Sequence, residues 1–174
     1  MFRRLTPLII ATGVISLAAC NQPPTAAPDA PATAITPTAA ADLPEAVRAA
    51  VLAARPTMVI AGAELKERDG RRYYDVEGTV DGAEIELDLL ETPQGWRVVE
   101  IQRDLAWSAV PAAVRTAAEA ARAGFVPVRV IESVQAEDGA VIYELFADGQ
   151  PATPALEVRA HDGRVEVLKE AWPH

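Results

Sequence analysis

The chain is poor in the residues on which most protein chemistry is built. It has one cysteine, Cys20, in 174 residues, which excludes an internal disulfide and any cysteine-built metal cluster. It has two histidines, His161 and His174, and neither stands at a metal-ligand spacing. There is no nucleophile elbow and no phosphate-cradling glycine loop. Both histidines read as solvated, and no catalysis, cofactor or metal is expected. Aromatic residues make up 5% of the chain, so a core must be built from aliphatics and alanine. Basic residues are outnumbered, 16 against 25 acids, for a net charge of −9. That balance excludes nucleic acid, which needs clustered Lys and Arg, and a body lying on an anionic membrane surface. The first apolar stretch, Leu8-Ile9-Ile10-Ala11 with Val14-Ile15, falls short of the roughly 20 residues a membrane helix requires.

What the chain does have begins with an address. Arg3 and Arg4 precede that short apolar stretch, which closes on Leu17-Ala18-Ala19-Cys20. Residues 1–20 therefore read as an export signal with a lipobox. Small residues admit the signal to a peptidase cleft, and the Cys20 thiol becomes the point of lipid attachment. Asn21 follows, whereas the familiar inner-membrane retention signal is Asp, so outer-membrane sorting is expected. The protein would face the periplasm and touch the membrane through its lipid alone. Residues 21–41 are Pro, Ala and Thr with prolines at 23, 24, 28, 31 and 37. Their side chains bury too little to offset chain ordering, so a disordered, extended tether is expected.

The body carries a repeat. Leu43-Pro44-Glu45-Ala46-Val47-Arg48 returns as Val110-Pro111-Ala112-Ala113-Val114-Arg115. Each copy opens a helix, with proline in the first turn and an apolar stripe: Leu43, Val47, Ala50, Val51 and Ala54, then Val110, Val114, Ala117, Ala118 and Ala121. Strand-like alternation follows each helix. Val59, Ala61, Ala63 and Leu65 are expected to face inward, then Tyr74, Val76 and Val80, then Ile85, Leu87 and Leu89; the facing of the Trp96–Ile101 run is open. Asp69-Gly70 and Asp81-Gly82 are two-residue hairpin signals, answered by Asp138-Gly139 and Asp148-Gly149. In the second copy Val128, Val130 and Val134 lead to Val141, Tyr143 and Leu145. Pro151 and Pro154 then shorten the third strand or place it at an edge. The expected fold is α+β: two tandem units of one helix plus a four-stranded antiparallel meander, with the helices packed on one face of a joined sheet. A unit of about 65 residues is marginal alone, so one continuous core is expected.

The Leu-Pro-x-Ala-Val-Arg helix start, followed by strands joined at Asp-Gly turns around a tyrosine, resembles the tandem PepSY-like family. The fold of that family is in turn similar to that of the secreted beta-lactamase inhibitor protein. The resemblance spans residues 42–172 and would divide the body into repeats at 42–106 and 107–174. It implies an exported, non-enzymatic module that binds another envelope protein, as an inhibitor or regulator of a periplasmic enzyme. The inhibitor proteins carry disulfides, which this chain cannot form, and no family binding residue transfers to it. An assembly accessory of the outer membrane and a cation-binding sensor are the alternative readings.

Two surface features are candidates for binding. A two-residue turn at Asp81-Gly82 pairs Thr79 with Glu84, Glu77 with Glu86 and Asp75 with Asp88. With Glu64 from the preceding strand, these carboxylates form an acidic face opposite Val76, Val80, Ile85 and Leu87. A solvated face that blocks aggregation, a basic protein partner and a calcium site are its three readings. The first hairpin tip has the opposite sign: Lys66, Arg68, Arg71 and Arg72 beside Tyr73. Arginine with an aromatic is interface chemistry, and an exposed turn with Glu67 facing Arg72 is the plainer account. Trp96, Trp107 and Trp172 are read as packing residues.

Overall fold

A computed structural model describes residues 33–149 and 152–172. Their architecture is a single antiparallel sheet of nine strands in sequence order. The strands are β1 (Ala34–Ala39), β2 (Val59–Arg68), β3 (Arg71–Val80), β4 (Ala83–Thr92), β5 (Gly95–Asp104), β6 (Arg129–Gln135), β7 (Val141–Phe146), β8 (Leu156–His161) and β9 (Arg164–Val167). Two ten-residue helices interrupt the meander, α1 (Glu45–Ala54) between β1 and β2 and α2 (Ala112–Ala121) between β5 and β6.

This arrangement overturns the expected fold class. The strands do not form two tandem helix-plus-four-strand units. They form one nine-stranded sheet in which the helices are minor, and the first strand lies inside the segment expected to be a tether. β1 pairs along its length with β2, from Ala34 opposite Glu67 to Ala39 opposite Gly62. Its sequence, Ala-Ile-Thr-Pro-Thr-Ala, hides the strand because it carries a single large apolar residue and a proline. An edge strand tolerates proline, whose missing N–H is lost only on the solvent side.

The two helical passages are built alike. Pro44 and Pro111 stand at the N-caps with nearly the same backbone (φ −54°, ψ 138° and φ −52°, ψ 139°). Each is preceded by a 3₁₀ turn, Ala40–Asp42 and Trp107–Ala109. The repeated arginine explains itself here: the Arg48 guanidinium donates to the Ala40 carbonyl, and Arg115 Nη1 donates to the Ser108 carbonyl at 2.8 Å. Each arginine clasps its helix to the turn before it. Each helix ends where an arginine N–H bonds back, Arg55 to Val51 at 2.8 Å and Arg122 to Ala118 at 2.9 Å. The resulting unit is strand, 3₁₀ turn, helix, strand, and β1 completes the first copy as β5 completes the second.

Both helices lie on one side of the sheet. Val47 and Val51 pack on Ala63, Tyr74, Val76, Leu87 and Leu89. Val114 and Ala118 pack on Val130, Tyr143, Leu145 and Val158. Ile101 adjoins the first cluster and stands opposite Val134, two places along its face from Val130, so the two clusters share a face. Trp96 meets Tyr74 edge-on at 5.0 Å between ring centroids, and Trp107 packs against the second cluster.

Two local departures alter the expected phasing. The register of β2 against β3 shifts between Ile60 and Gly62. The bulge turns Ile60 toward the core and leaves Val59 69% exposed and Ala61 exposed. Val128, grouped by the sequence with Val130 and Val134, precedes β6 and is exposed. Asp69-Gly70 and Asp81-Gly82 are two-residue turns with φ positive at both positions, as is Asp162-Gly163. At Asp138-Gly139 only the glycine has positive φ. The loop is longer, closed by the Gln135 N–H on the Ala140 carbonyl at 2.8 Å and by Asp138 Oδ1 accepting from the Ala140 N–H at 2.9 Å. β8 has six residues and lies between β7 and β9, so it is shortened but not an edge.

The bulge creates a tight spot. A Cβ on Gly78 would lie 2.4 Å from the Val59 carbonyl oxygen and 2.8 Å from Met58 Cε. Gly78→Ala is expected to destabilise the fold by about 1–3 kcal/mol in urea unfolding. A change under about 0.5 kcal/mol would show that the bulge yields without cost.

Candidate functional site

The face of the sheet opposite the helices is acidic, and its acids stand in rows across the strands. The register of β3 with β4 places Asp75 opposite Asp88, Glu77 opposite Glu86 and Thr79 opposite Glu84, the pairing the Asp81-Gly82 turn dictates. Glu64 of β2 stands opposite Asp75, and Glu100 of β5 opposite Asp88. One row therefore runs Glu64, Asp75, Asp88, Glu100 over four strands. Period-two alternation accounts for it: Tyr74, Val76, Leu87 and Leu89 are claimed by the core, so their neighbours are carried to the other side.

The row is not a simple solvated surface. Asp75 and Asp88 are each 8% exposed and Glu100 is 3% exposed, whereas Glu77 and Glu84 are exposed. Burial holds the Asp75 carboxyl above its ordinary pKa against the opposing pull of Lys66, and burial with the nearby Asp75 charge does the same to Glu86. The effect is largest at Asp88, pushed up to about 9 by burial, with the charges of Asp75, Glu100 and Glu86 adding to it. Gln102 Nε2 donates to Asp88 Oδ2 at 3.3 Å, while Asp88 Oδ1 is buried with no hydrogen-bond partner. Carboxylate oxygens of Asp75, Glu86 and Asp88 lie within 4.8 Å of one another.

The second half of the sheet repeats the motif. Tyr74 is followed by Asp75, which faces Asp88; Tyr143 is followed by Glu144, which faces Glu157. Glu144 and Glu157 are again buried. Glu157 Oε2 accepts from the Trp172 backbone N–H at 2.7 Å. The position answering Glu86, two before the second acid, is Ala155, so the three-acid cluster belongs to the first half alone. Glu100, Glu144 and Glu157 escaped the sequence reading. The facing of β5 is masked by the adjacent Val98-Val99, where the register shifts past Asp88. The prolines before β8 masked its phase. The acid following each core tyrosine was the signal that could have found the second pair.

The basic hairpin tip does not present one patch. Lys66 reaches along the acidic face to form an ion pair with Asp75; burial works against its ammonium, but Asp75 outweighs this and raises its pKa. Arg68 lies over the Tyr73 ring at 5.6 Å, on the same side, and Arg71 stands opposite Arg68. Arg72 belongs to the helix-covered side. It bonds Glu67 at 3.3 Å and Glu91 at 3.0 Å and lies over Trp96 at 5.8 Å. The tip splits because adjacent strand residues point to opposite faces.

His161, expected to be solvated, is half-buried, with Nε2 3.0 Å from the Asp138 carbonyl oxygen. Cys20 and His174 lie outside the described residues. Among the described residues no helix is long and apolar enough to cross a membrane. No protein-family model, no curated protein and no solved structure matches this chain.

The pKa pattern fixes the sign of a pH dependence. Asp88 titrates at about 9 in the folded chain against an ordinary 3.8, so between these values the folded chain binds the extra proton. Its contribution to stability is complete below about pH 4 and is lost as pH rises through about 9. In chelator, the melting temperature is expected to fall between pH 5 and pH 9, and Asp88→Asn to flatten that decline. A wild-type curve that is level or rising over the range, with the Asn variant unchanged, would contradict the burial of Asp88.

Proposed function

We propose that this chain is a lipid-anchored envelope protein whose folded body performs no reaction and binds a periplasmic protein with a basic surface. The helix-free face of the sheet is the binding side. The observation that carries the reading is the row Glu64–Asp75–Asp88–Glu100 with its exposed flank, Glu77 and Glu84. Glu77 set directly opposite Glu86 weakens strand pairing by about 0.2–1 kcal/mol, and Asp88 is held neutral between Asp75 and Glu100 with a buried oxygen left unbonded. A fold that keeps them on one face, and repeats the arrangement at Glu144 and Glu157, bears that cost for something other than its own stability. A basic partner supplies the compensating charge, sets orientation and accelerates encounter.

The flank opens into a shallow pocket of about 290 Å³ bordered by Glu77, Glu84 and Glu86 on one side and Gln102 and Arg129 on the other. This mixed border suits a basic side chain from a partner, held by the three glutamates. At the far end of the same face Tyr73, beneath Arg68, would add apolar contact, while the positive charges of Arg68 and Arg71 would bound the region that a basic surface can occupy. Regulation or inhibition of an envelope enzyme is the role proposed for the complex. The export signal, the Cys20 anchor and the PepSY-like helix starts support the envelope setting.

The test is crosslinking in cells with the full chain, identification of the captured partner by mass spectrometry, and binding measured with purified components. Glu77→Gln with Glu84→Gln alters only exposed side chains and is expected to weaken binding at least about tenfold, with a reduced salt dependence. Binding unchanged by that pair of substitutions would remove the acidic face from the interface. Binding lost instead in Arg68→Ala/Arg71→Ala/Tyr73→Ala would move it to the hairpin tip.

A further inference from the structure

We propose that the carboxylates of Asp75, Glu86 and Asp88 form a binding site for a hard divalent cation of the calcium class. The inference stands apart from the protein-binding role, since it needs no partner. Three observations carry it. The three carboxylates converge from β3 and β4, with oxygens within 4.8 Å of one another. Asp88 is nine-tenths buried, and its Oδ1 has no hydrogen-bond partner although Oδ2 is held by Gln102. A buried carboxyl oxygen left without a hydrogen bond is costly; a cation takes the place of the proton that the folded chain holds on Asp88, which is released to solvent, and satisfies that oxygen. The third acid, Glu86, is present only in this half; its counterpart is Ala155.

The donor set selects the ion. Calcium takes about six to eight oxygens at about 2.3–2.6 Å in flexible geometry, which carboxylates completed by water can supply, whereas magnesium demands a near-ideal octahedron at about 2.0–2.1 Å and dehydrates reluctantly. Oxygen-only donors exclude the softer metals. The Gln102 side chain, already on Asp88, offers a neutral oxygen if its amide turns over, and water completes the shell. Lys66 is the resident counter-ion on Asp75, so calcium competes with an ammonium group for this carboxylate.

The experiment is calorimetric titration of the purified full chain with calcium chloride at pH 7.5, alongside thermal unfolding. Wild type is expected to bind one calcium and to melt about 5 °C higher at saturating calcium. Asp88→Asn and Glu86→Gln, two nearly isosteric changes, should each weaken binding at least about tenfold, and Lys66→Gln should strengthen it. Glu157→Gln, in the duplicate acid pair, should leave it unaltered. No binding heat and no thermal shift with wild type would overturn the site. So would unweakened binding in both Asp88→Asn and Glu86→Gln. An equal response to magnesium would overturn the assignment to calcium.

Discussion

The structure depends on the seam between β5 and β6. Each helix makes its own hydrophobic cluster, and these clusters could have folded as separate bodies. They are joined because Glu100 to Asp104 pair with Gln135 to Ile131, and the ladder is prolonged at both ends, by Ala136 N–H on the Val99 carbonyl and Leu105 N–H on the Val130 carbonyl, each at 2.9 Å. Side chains cross the seam on both faces. Arg103 binds Glu132 at 2.7 Å on the helix side; Arg129 binds Asp104 at 2.9 Å, and Ser133 donates to Glu100, on the other. Exposed ion pairs add little alone, but with Ile101 facing Val134 they fix the register, and register decides which residues meet on each face.

Register is what makes the acidic face. Once the apolar residues of each strand are claimed by α1 and α2, the intervening residues have nowhere to go but the opposite side, in straight cross-strand rows. The acids cannot spread apart without breaking the ladder that holds the core. Burial, with the neighbouring acids, pushes Asp88 to about 9 in this fixed array, and the rigidity of the array is the property a binding surface needs, since groups held in place lose no entropy when a partner or ion arrives. The tyrosine-then-acid order in both halves ties the core and the face together: Tyr74 and Tyr143 are buried beneath a helix while Asp75 and Glu144 lie behind them.

Much of this was legible in the residues because the alternation is strong where side chains are large. Tyr74, Val76, Leu87 and Leu89 fixed the phase of β3 and β4, and the Asp81-Gly82 turn fixed their pairing, so the opposed acids followed by counting. Where side chains are small or local chemistry interferes, the reading failed. β1 carries only Ile35 as a large apolar residue and contains Pro37, so a strand that depends on β2 for its ladder resembled a tether. The bulge near Ala61 reversed the facing of Val59 and Ile60, a tertiary choice without a local marker. The repeat suggested two helix-plus-four-strand units in a joined sheet; that β1 belongs to the sheet as a ninth strand, and that the halves meet by β5 pairing with β6 across 24 intervening residues, 105 to 128, are long-range decisions that no window of sequence displays.

A sheet joined at β5 and β6 makes the two clusters unfold together. The three tryptophans allow a direct reading, since Trp96 reports on the first cluster and Trp107 on the second. Urea unfolding of Trp107→Phe/Trp172→Phe would be followed through Trp96, and of Trp96→Phe/Trp172→Phe through Trp107, each alongside circular dichroism on the same variant. In each variant the fluorescence and dichroism curves are expected to coincide in a single transition. A fluorescence midpoint displaced from that of the dichroism, with one half melting while the other persists, would contradict a sheet held together at β5 and β6.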